Sequence, residues 1–350
     1  MAKSIIGLDI GSYSVKLVEL ENDGSRYRLK NYFIKDLYTG DEEIDSGGPD
    51  ISRLETAVRE AFQAVKINPK RAKNVNSSFG GKAISIKQIK SISLAPEEME
   101  SSLLFEARKH LPLDESDAII DYQILSGDME SSDMDIILAA TTKKMFDNRL
   151  KLLKDIGIEP NIIDAEILAI LNSYLATQGS FLGDEALVFL DVGARYSNLA
   201  IVGEKTMFFT RDINWAGINF TDDIKSNMKI DYSEAESIKR ESGIGALLGD
   251  IGETAKGIKV TRRMAIDNLI DEIRRSLRYY TKETGCREFN KILLCGGSSV
   301  LPNLNSHLAQ HLKMTVELYN PFQNFLTPPG FNDTLGSRLA VACGLALRED

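Results

Sequence analysis

The stretch IIGLDIGSYSVKLVEL (residues 5–20) decides the fold that we predict for this chain. An apolar strand ends in Asp-Ile-Gly, and after a short polar bend a second apolar strand begins and carries a lysine. The stretch LVFLDVGARYSNLAIV (187–202) repeats the pattern. A shift of 182 residues superposes Asp9, Gly11 and Leu17 on Asp191, Gly193 and Leu199. An internal repeat of this size predicts two related lobes that face each other across a cleft.

The residue types in these two bends suit a phosphate ligand. Glycine lets the backbone approach a ligand closely, and its free N–H groups bind anions. An aspartate at the end of each strand offers a hard oxygen to Mg²⁺. We therefore predict that Asp9 and Asp191 lie at a metal and that Lys16 reaches a phosphate as a point charge. Asp-x-Gly is also a common turn sequence, but two matched copies make an ordinary turn the weaker interpretation.

Two further motifs are ambiguous when each is taken alone. Gly296, Gly297 and Ser298 follow an apolar strand and precede a helix, an arrangement that suits a phosphate or nucleoside. In YSEAESIKRESG (232–243), Ser233 and Glu236 have the spacing of a helix capping box, and Lys239 could simply pair with Glu236. The alternative is that the Glu236 and Lys239 side chains grip a ribose and a purine.

Composition narrows the class of protein. The 350 residues leave room for two domains or lobes, and 43% of them are hydrophobic, as in an ordinary globular protein. A net charge of −9 makes a nucleic-acid binder a poor expectation. The three widely spaced cysteines predict free thiols in a reducing compartment. No signal-peptide core or membrane-spanning run is seen, so we expect a cytoplasmic protein that reaches a membrane only through a partner.

Hydrophobic periodicity gives an α/β order of elements. Strands are predicted at 5–10, 15–20, 27–34, 82–94, 118–125, 134–142, 187–192, 198–203, 206–212 and 291–295. Helices are predicted at 51–66, from Pro96 to about His110, and at 143–156, 162–176, 232–284 and 335–348. The order of elements from 82 to 156 indicates a small α+β subdomain inserted in the first lobe.

Together, the four motifs resemble those of the actin-like ATPases, which include sugar kinases, Hsp70 and actin. Within that group the chain looks most like the PilM family of type IV pilus assembly proteins, over nearly its whole length. The similar segments are GLDIGSYSVKLVEL, LLFEARKHLPLD, GIEPNIIDAEILAILNSY, WAGINFTDDI and LAVACGLALR. The resemblance implies an α/β, actin-like (ribonuclease H-like) two-lobed ATPase fold with a 1C subdomain of the kind that PilM and the division protein FtsA carry.

The same resemblance implies a division of the chain into subdomains. Residues 1–84 would form the core of the first lobe (1A) and residues 85–160 the inserted subdomain 1C. Residues 161–185 would be an interlobe helix that returns to 1A. Residues 186–330 would form the second lobe (2A, with 2B at about 231–285), and residues 331–350 a C-terminal helix that returns to 1A.

The resemblance also implies ATP and Mg²⁺ as cofactors and assigns residues to them. The assigned residues are Asp9, Gly11, Ser12 and Lys16 in the first loop; Asp191, Gly193 and Ser197 in the second; Gly217 and Asn219 near the ribose; and Glu236, Lys239, Gly296, Gly297 and Ser298 around the adenosine. Asp9 and Asp191 would serve the metal.

Hydrolysis of ATP would need a group that orients or deprotonates water near the γ-phosphate. The resemblance makes Glu166 the first candidate and Asp164 the second. Both acids could instead merely begin a helix, whose positive end suits them. We therefore predict binding of ATP and leave turnover open.

The implied partner is the N-terminal cytoplasmic tail of a PilN-type inner-membrane protein, held in a groove between the inserted subdomain and the core of the first lobe. Other pilus platform proteins are further candidates, whereas nucleic acid and direct membrane insertion are not expected. Three alternatives stay open. An FtsA-like scaffold should end in a basic amphipathic helix, a type II secretion platform protein should continue into a membrane span, and a small-molecule kinase needs a substrate pocket with a catalytic aspartate.

Three other features are interpreted as structural. His307 and His311 have the spacing of metal ligands, but HLAQH lacks the glutamate of a metalloprotease helix, so a surface helix is predicted. The basic, aromatic stretch at 262–282 is predicted to form a solvated helical face or to line the adenosine side. Trp215 is expected to pack near the ribose turn.

Overall fold

The computed structural model describes residues 3–24, 26–39, 42–44, 47–91, 96–109, 118–126, 134–180, 185–203, 207–247 and 264–349. Their strands are β1 (Lys3–Ile10), β2 (Ser14–Asn22), β3 (Tyr27–Asp36), β4 (Val75–Phe79), β5 (Ser85–Ser91), β6 (Ala118–Ser126), β7 (Met134–Thr142), β8 (Pro160–Ala165), β9 (Ala186–Val192), β10 (Ser197–Val202), β11 (Phe209–Ile213), β12 (Phe289–Cys295) and β13 (Val316–Leu318). Their α-helices are α1 (Ile51–Ala64), α2 (Pro96–Arg108), α3 (Lys143–Ile156), α4 (Glu166–Gln178), α5 (Gly217–Met228), α6 (Tyr232–Ser242), α7 (Ala265–Thr284), α8 (Leu304–Leu312), α9 (Asp333–Arg338) and α10 (Ala340–Leu347).

Two five-stranded sheets share one topology. The first has the order β3-β2-β1-β4-β8 and the second the order β11-β10-β9-β12-β13. In each sheet three consecutive strands pair antiparallel, and two later strands then add in parallel. The hairpins β1–β2 and β9–β10 hold matching places, so the hairpin repeat predicted from the sequence is confirmed.

A third sheet, β5-β7-β6, interrupts only the first of these two units. Its strands, with α2 and α3, lie in the chain between β4 and β8, which are parallel neighbours. The matching strands β12 and β13 are connected through α8 instead. One face of the small sheet packs on α2 through a cluster of buried apolar side chains, among them Met99, Leu103, Ala107, Met134, Ile136 and Leu138.

Two helices, α4 and α10, pack between the large sheets at very short range. A Cβ at Gly344 would collide with the backbone of Ala169, and one at Gly7 would collide with the backbone of Ala342. Glycine therefore lets α10 lie directly on α4 and on β1. All eight residues of α10 are buried. This packing fixes the N-terminus of α4, where Glu166 stands, relative to the end of β1.

Several predicted boundaries were wrong for physical reasons. Residues 162–165 continue strand β8 because Ile162 and Ile163 pair with Asn76 and Ser77 of β4, so the helix begins only at Glu166. The predicted last helix is two helices, which meet at Leu339. The helix predicted for 232–284 stops at Gly243, whose φ of 56° is left-handed. Part of that stretch, residues 248–263, lies outside the described residues.

In the described part of the chain, every helix is too short or too polar to cross a bilayer. The three cysteines are free thiols, as predicted. Helix α7 buries Ile266, Leu269 and Ile273 and exposes Arg275, so the described part of the basic stretch is the solvated helical face that was predicted.

Candidate functional site

A cleft with a volume of about 320 Å³ lies between the two large sheets and has both hairpin bends in its wall. Most of the residues predicted from the four motifs line it, although the motifs are far apart in the chain. These residues are Asp9, Gly11, Ser12, Lys16, Glu166, Asp191, Gly193, Gly217, Glu236, Lys239, Gly296, Gly297 and Ser298. The two aspartates therefore share one cleft, as the predicted two-lobed arrangement requires.

The first loop (residues 9–16) is a tight bend that buries an ion pair. Asp9 and Lys16 lie opposite each other in the register of β1 and β2. The Lys16 Nζ donates to Asp9 Oδ2 over 2.8 Å, and the Gly11 N–H closes the bend on the Ser14 carbonyl at 3.1 Å. Burial would lower the pKa of Lys16, but Asp9, Asp191 and Glu166 together raise it above its ordinary value. Lys16 is therefore a protonated cation among carboxylates.

The second loop (residues 191–198) has the same backbone with a different charge. Its Gly193 N–H donates to the Tyr196 carbonyl at 3.1 Å, as Gly11 does in the first loop. Asn198 lies opposite Asp191, in the place that Lys16 holds in the first hairpin. Burial, and then the charge of Asp9, raise the pKa of Asp191 to about 6. Asp191 thus lacks the lysine that Asp9 has opposite it, and a bound cation could take that place.

Glu166 begins α4 and reaches the same end of the cleft. Its two carboxylate oxygens accept the Tyr196 hydroxyl at 3.3 and 3.1 Å. A Cβ at Gly80 would collide with this carboxyl group, so the glycine makes room for it. Burial, then Asp9 and Asp191, raise the pKa of Glu166 to about 8. A group that exchanges a proton near neutral pH in a cleft is suited to acid–base chemistry.

The Gly-Gly turn after β12 is bonded to the second loop. Ser298 donates through its N–H to the Val192 carbonyl and through Oγ to the Gly193 carbonyl, both at 2.8 Å. Gly296 has a φ of 96°, and a Cβ there would collide with the Asp191 carboxylate. A Cβ at Gly297, in contrast, would meet only open space in the cleft.

The capping box predicted for α6 was wrong. The cap is Asp231, whose Oδ1 accepts the Glu234 N–H at 2.9 Å, because the helix begins at Tyr232 and Ser233 is already inside it. The Glu236 side chain therefore does not cap the helix. It accepts Lys239 Nζ at 2.5 Å and Thr221 Oγ1 at 2.8 Å, and it lies in the cleft wall.

Three predicted site residues turn away from the cleft. Ser197 is buried and donates to the Trp215 carbonyl at 2.7 Å, and the Asn219 side chain accepts the Ala216 N–H at 2.9 Å at the start of α5. Both support the loops from behind. Asp164 accepts its neighbour's N–H and faces a separate groove, where Arg348 lies 3.9 Å away. This position gives no support to Asp164 as the group that activates water.

Two residues in the wall of the cleft that were not predicted as site residues connect the lobes. The Arg240 Nη2 donates to the Tyr13 hydroxyl at 2.5 Å, and its guanidinium carbon lies 5.5 Å from the centre of the Tyr13 ring. Tyr13 belongs to the first loop and Arg240 to α6. Their positions inside predicted motifs were visible in the sequence, but nothing in it indicated that they would meet.

A protein-only metal site is absent from the part of the chain that the structure describes, where no three His, Cys, Asp or Glu side chains cluster suitably. The rings of His307 and His311 lie against each other on α8, with their centres 4.2 Å apart and their planes tilted by 37°. A divalent ion in the cleft would therefore need phosphate or water oxygens besides Asp9 and Asp191. Mg²⁺ is typically bound in this way.

A sequence model of the family described as type IV pilus assembly protein PilM matches residues 7–350. The chain belongs to this PilM family. The match includes both loops, the inserted sheet and the Gly-Gly turn. The chain is therefore an actin-like protein of type IV pilus assembly.

Solved structures agree with this family and show its fold. The chain is similar to the one in a PilM–PilN type IV pilus biogenesis complex, with a TM-score of 0.80, 23% identity, and coverage of 98% of this chain and 97% of that one. It is also similar to the ethanolamine utilization protein EutJ from Carboxydothermus hydrogenoformans, with a TM-score of 0.56, 12% identity and coverage of 99% and 89%. A diol dehydratase-reactivating factor gives a TM-score of 0.52, 11% identity and coverage of 99% of both chains. The predicted α/β actin-like ATPase fold is confirmed.

Proposed function

We propose that this PilM family member binds Mg²⁺–ATP in the cleft and the cytoplasmic tail of a PilN-type inner-membrane protein in a separate groove, and that nucleotide state is coupled to the tail. The observation that carries the nucleotide proposal is the meeting of both Asp-x-Gly loops and the Gly-Gly turn around one cleft. Through the tail, the protein would sit at the cytoplasmic face of the inner membrane.

The residues of the cleft fit each part of such a ligand. N–H groups of the two glycine loops and the Lys16 ammonium would hold the phosphates, while Asp9 and Asp191 would hold Mg²⁺ with water and phosphate oxygens. The bound ion would neutralise phosphate charge. Glu166 is placed to orient a water or to accept its proton. Glu236 and Lys239 on one side and Gly297 on the other would enclose the adenosine.

Equilibrium dialysis of the purified chain against labelled ATP tests the nucleotide proposal. We expect saturable binding at one site per chain that weakens at least tenfold when EDTA removes Mg²⁺, because the buried Asp191 carboxylate, which has only the neutral Asn198 opposite it, then faces the phosphates without a counter-ion. Dialysis with no ATP retained at millimolar concentration would contradict the proposal. Retained ATP without release of phosphate would leave a nucleotide-dependent scaffold.

The proposed tail site is a groove of about 1,550 Å³ between the small sheet and α4. Strand β7 alternates: Ile136 and Leu138 face α2, whereas Ile137 and Ala139 line the groove opposite Leu168 of α4. The small sheet therefore has one face covered by its own helix and one apolar face turned to the groove. An extended peptide could fill this space or pair with the edge strand β6.

Charge around the groove suits a peptide from a membrane protein. Acidic side chains outnumber basic ones in its wall, the acids being Asp121, Asp135, Asp164, Glu283 and Glu349 and the bases Lys90 and Arg348. Cytoplasmic segments next to a membrane span are rich in lysine and arginine. The similar structure solved as a PilM–PilN complex supports PilN as the source of the peptide.

A paired substitution on β6 tests the groove. Ile119 lies opposite Thr141 in the register and so shares the face of Ile137 and Ala139, and Leu125 is 46% exposed; both line the groove, so replacing both with alanine should leave the fold intact. We expect at least tenfold weaker binding of a PilN tail peptide in fluorescence anisotropy, since two apolar contacts are lost. The matched control is Phe105→Ala, which removes a 65% exposed ring from α2, on the other face of the small sheet. An equal loss in the control, or ATP binding that falls in parallel, would contradict the assignment.

We propose that the subdomains predicted from the sequence divide these two binding roles between them. Residues 85–160 (1C) would supply one wall of the groove, and residues 1–84, 161–185 and 331–350 (1A) the other. The second lobe, 186–330, would supply the adenosine side.

A further inference from the structure

Arg149, on α3, is a cation that none of the interactions above uses. Its Nη1 is inaccessible to solvent and has no hydrogen-bond partner in the described structure. Its Nη2 lies 3.5 Å from the Ile10 carbonyl, and its guanidinium carbon lies 5.6 Å from the centre of the Phe79 ring. Burying a charge that lacks an anionic partner is unfavourable, so this arrangement needs an explanation.

Arg149 does not itself line the cleft, but its neighbours in the fold adjoin the end of the cleft where the two loops meet. Ile10 separates Asp9 from Gly11 in the first loop, and Phe79 directly precedes Gly80, against which Glu166 packs. Burial lowers the pKa of Arg149, and the charges of Glu166, Tyr196 and Asp9 oppose this effect. These are the groups at the proposed phosphate end, whereas Glu236 and Lys239 lie at the adenosine end.

Glu166 does not already serve as the hydrogen-bond partner of Arg149. It accepts the Tyr196 hydroxyl with both oxygens, whereas the guanidinium group of Arg149 donates to the Ile10 carbonyl and has no partner at Nη1 in the part of the chain that the structure describes. Asp9 is held by Lys16 at 2.8 Å. The anion that would satisfy the guanidinium group is therefore better supplied by a ligand.

Helix α3 connects this position to the small sheet. It begins at Lys143, directly after the last residue of β7, and the Thr142 side chain caps it. Leu152, Leu153 and Ile156, further along the same helix, pack in the core of the first lobe. A displacement of Arg149 would therefore move helix α3, which directly follows strand β7 of the inserted sheet.

We propose that Arg149 binds the terminal phosphate of ATP, so that the inserted sheet and its groove respond differently to ATP and to ADP. This inference rests on the proposed nucleotide site and deepens it. ATP would satisfy the guanidinium group, whereas ADP would leave it without a partner.

Titration calorimetry of the full chain with ATP and with ADP, each with Mg²⁺, tests this inference. For Arg149→Gln we expect ATP binding to weaken about 10- to 100-fold, the range for a lost charged hydrogen bond, and ADP binding to change less than about twofold. Arg149→Lys should lie between wild type and Arg149→Gln, because lysine keeps the charge without the planar fork. The matched control is Lys151→Gln, which removes an exposed cation from the same helix and should leave both affinities unchanged.

Hydrogen exchange supplies a readout that a purely structural role would not change. In the wild type, ATP should slow amide exchange in α3 and β7 more than ADP does, and Arg149→Gln should abolish that difference. Retained ADP affinity shows that the variant is folded. Equal weakening of ATP and ADP, or no weakening, would overturn the role of Arg149 and leave the ATP site standing. A wild type that binds neither nucleotide would overturn the proposed function and this inference with it.

Discussion

A valine in place of Gly297 is expected to prevent nucleotide binding while leaving the fold intact. Position 297 is exposed, and a Cβ there would meet no protein atom within 4 Å. The new side chain would therefore occupy only the space that we propose for the adenosine, between the Gly-Gly turn and α6. Densely packed side chains in the wall cannot shift far enough to make room for both the valine and the adenine base. We therefore expect at least a hundredfold loss of ATP affinity in calorimetry.

The matched control is Gly245→Val. Gly245 is also exposed and also faces open space, but it does not line the cleft. Both variants should unfold within about 0.5 kcal/mol of the wild type in urea, as surface substitutions usually do. Unchanged ATP affinity in Gly297→Val would show that adenosine is not enclosed by this turn. A large loss of stability would show that the turn, not the ligand, needs the glycine.

The stability of the protein without metal and nucleotide is expected to fall as the pH rises from 6.5 to 8.5, and Glu166→Gln should remove much of this fall. The pKa of Glu166 is 4.5 in ordinary surroundings and about 8 in the fold. Between these values the unfolded chain has released the proton and the folded chain keeps it, so a rise in pH favours unfolding until the folded carboxyl group also ionises. The expected contribution is about 2 kcal/mol across this window.

Urea unfolding at both pH values measures this effect. Asp191, with a pKa of about 6, shifts in the same direction but contributes mainly below the window. The control is Glu159→Gln, which replaces an exposed carboxyl group and should keep the pH dependence of the wild type. A slope that is equally steep in Glu166→Gln and the wild type would mean that the buried carboxyl group is ionised in the fold at neutral pH.

The sequence predicted the duplicated hairpins because their strands are mostly apolar and their bends carry glycine and aspartate. Strand β4 escaped prediction because VNSSF looks polar, yet all five of its residues are buried. Backbone carbonyls accept from two of its polar side chains: Asn76 donates to Leu345 and Arg348, and Ser77 to Leu8, while Asn76 Oδ1 and Ser78 Oγ are buried without a partner among the described residues. Such long-range bonds leave no local pattern in a sequence.

The candidate site was predicted where one short motif held several of its members. Thirteen predicted residues do line one cleft, but Tyr13 and Tyr196, which line it too, were not among them, and Arg149, whose neighbours adjoin the cleft, was not predicted either. Arg149 looks like one more cation on an amphipathic helix, and only the approach of α3 to Ile10 and Phe79 distinguishes it. In the same way, Asp164 and Glu166 are neighbours in sequence, but the change from strand to helix at residue 166 sends them to different cavities.

The exchange of Lys16 for Asn198 gives the duplicated frame a polarity. Two loops of matching backbone would, by themselves, accept an elongated anion in either of two head-to-tail orientations. A single ammonium group, present in one hairpin and replaced by a neutral amide in the other, makes the two orientations unequal in energy. A nearly symmetric scaffold can in this way give its ligand a defined front and back.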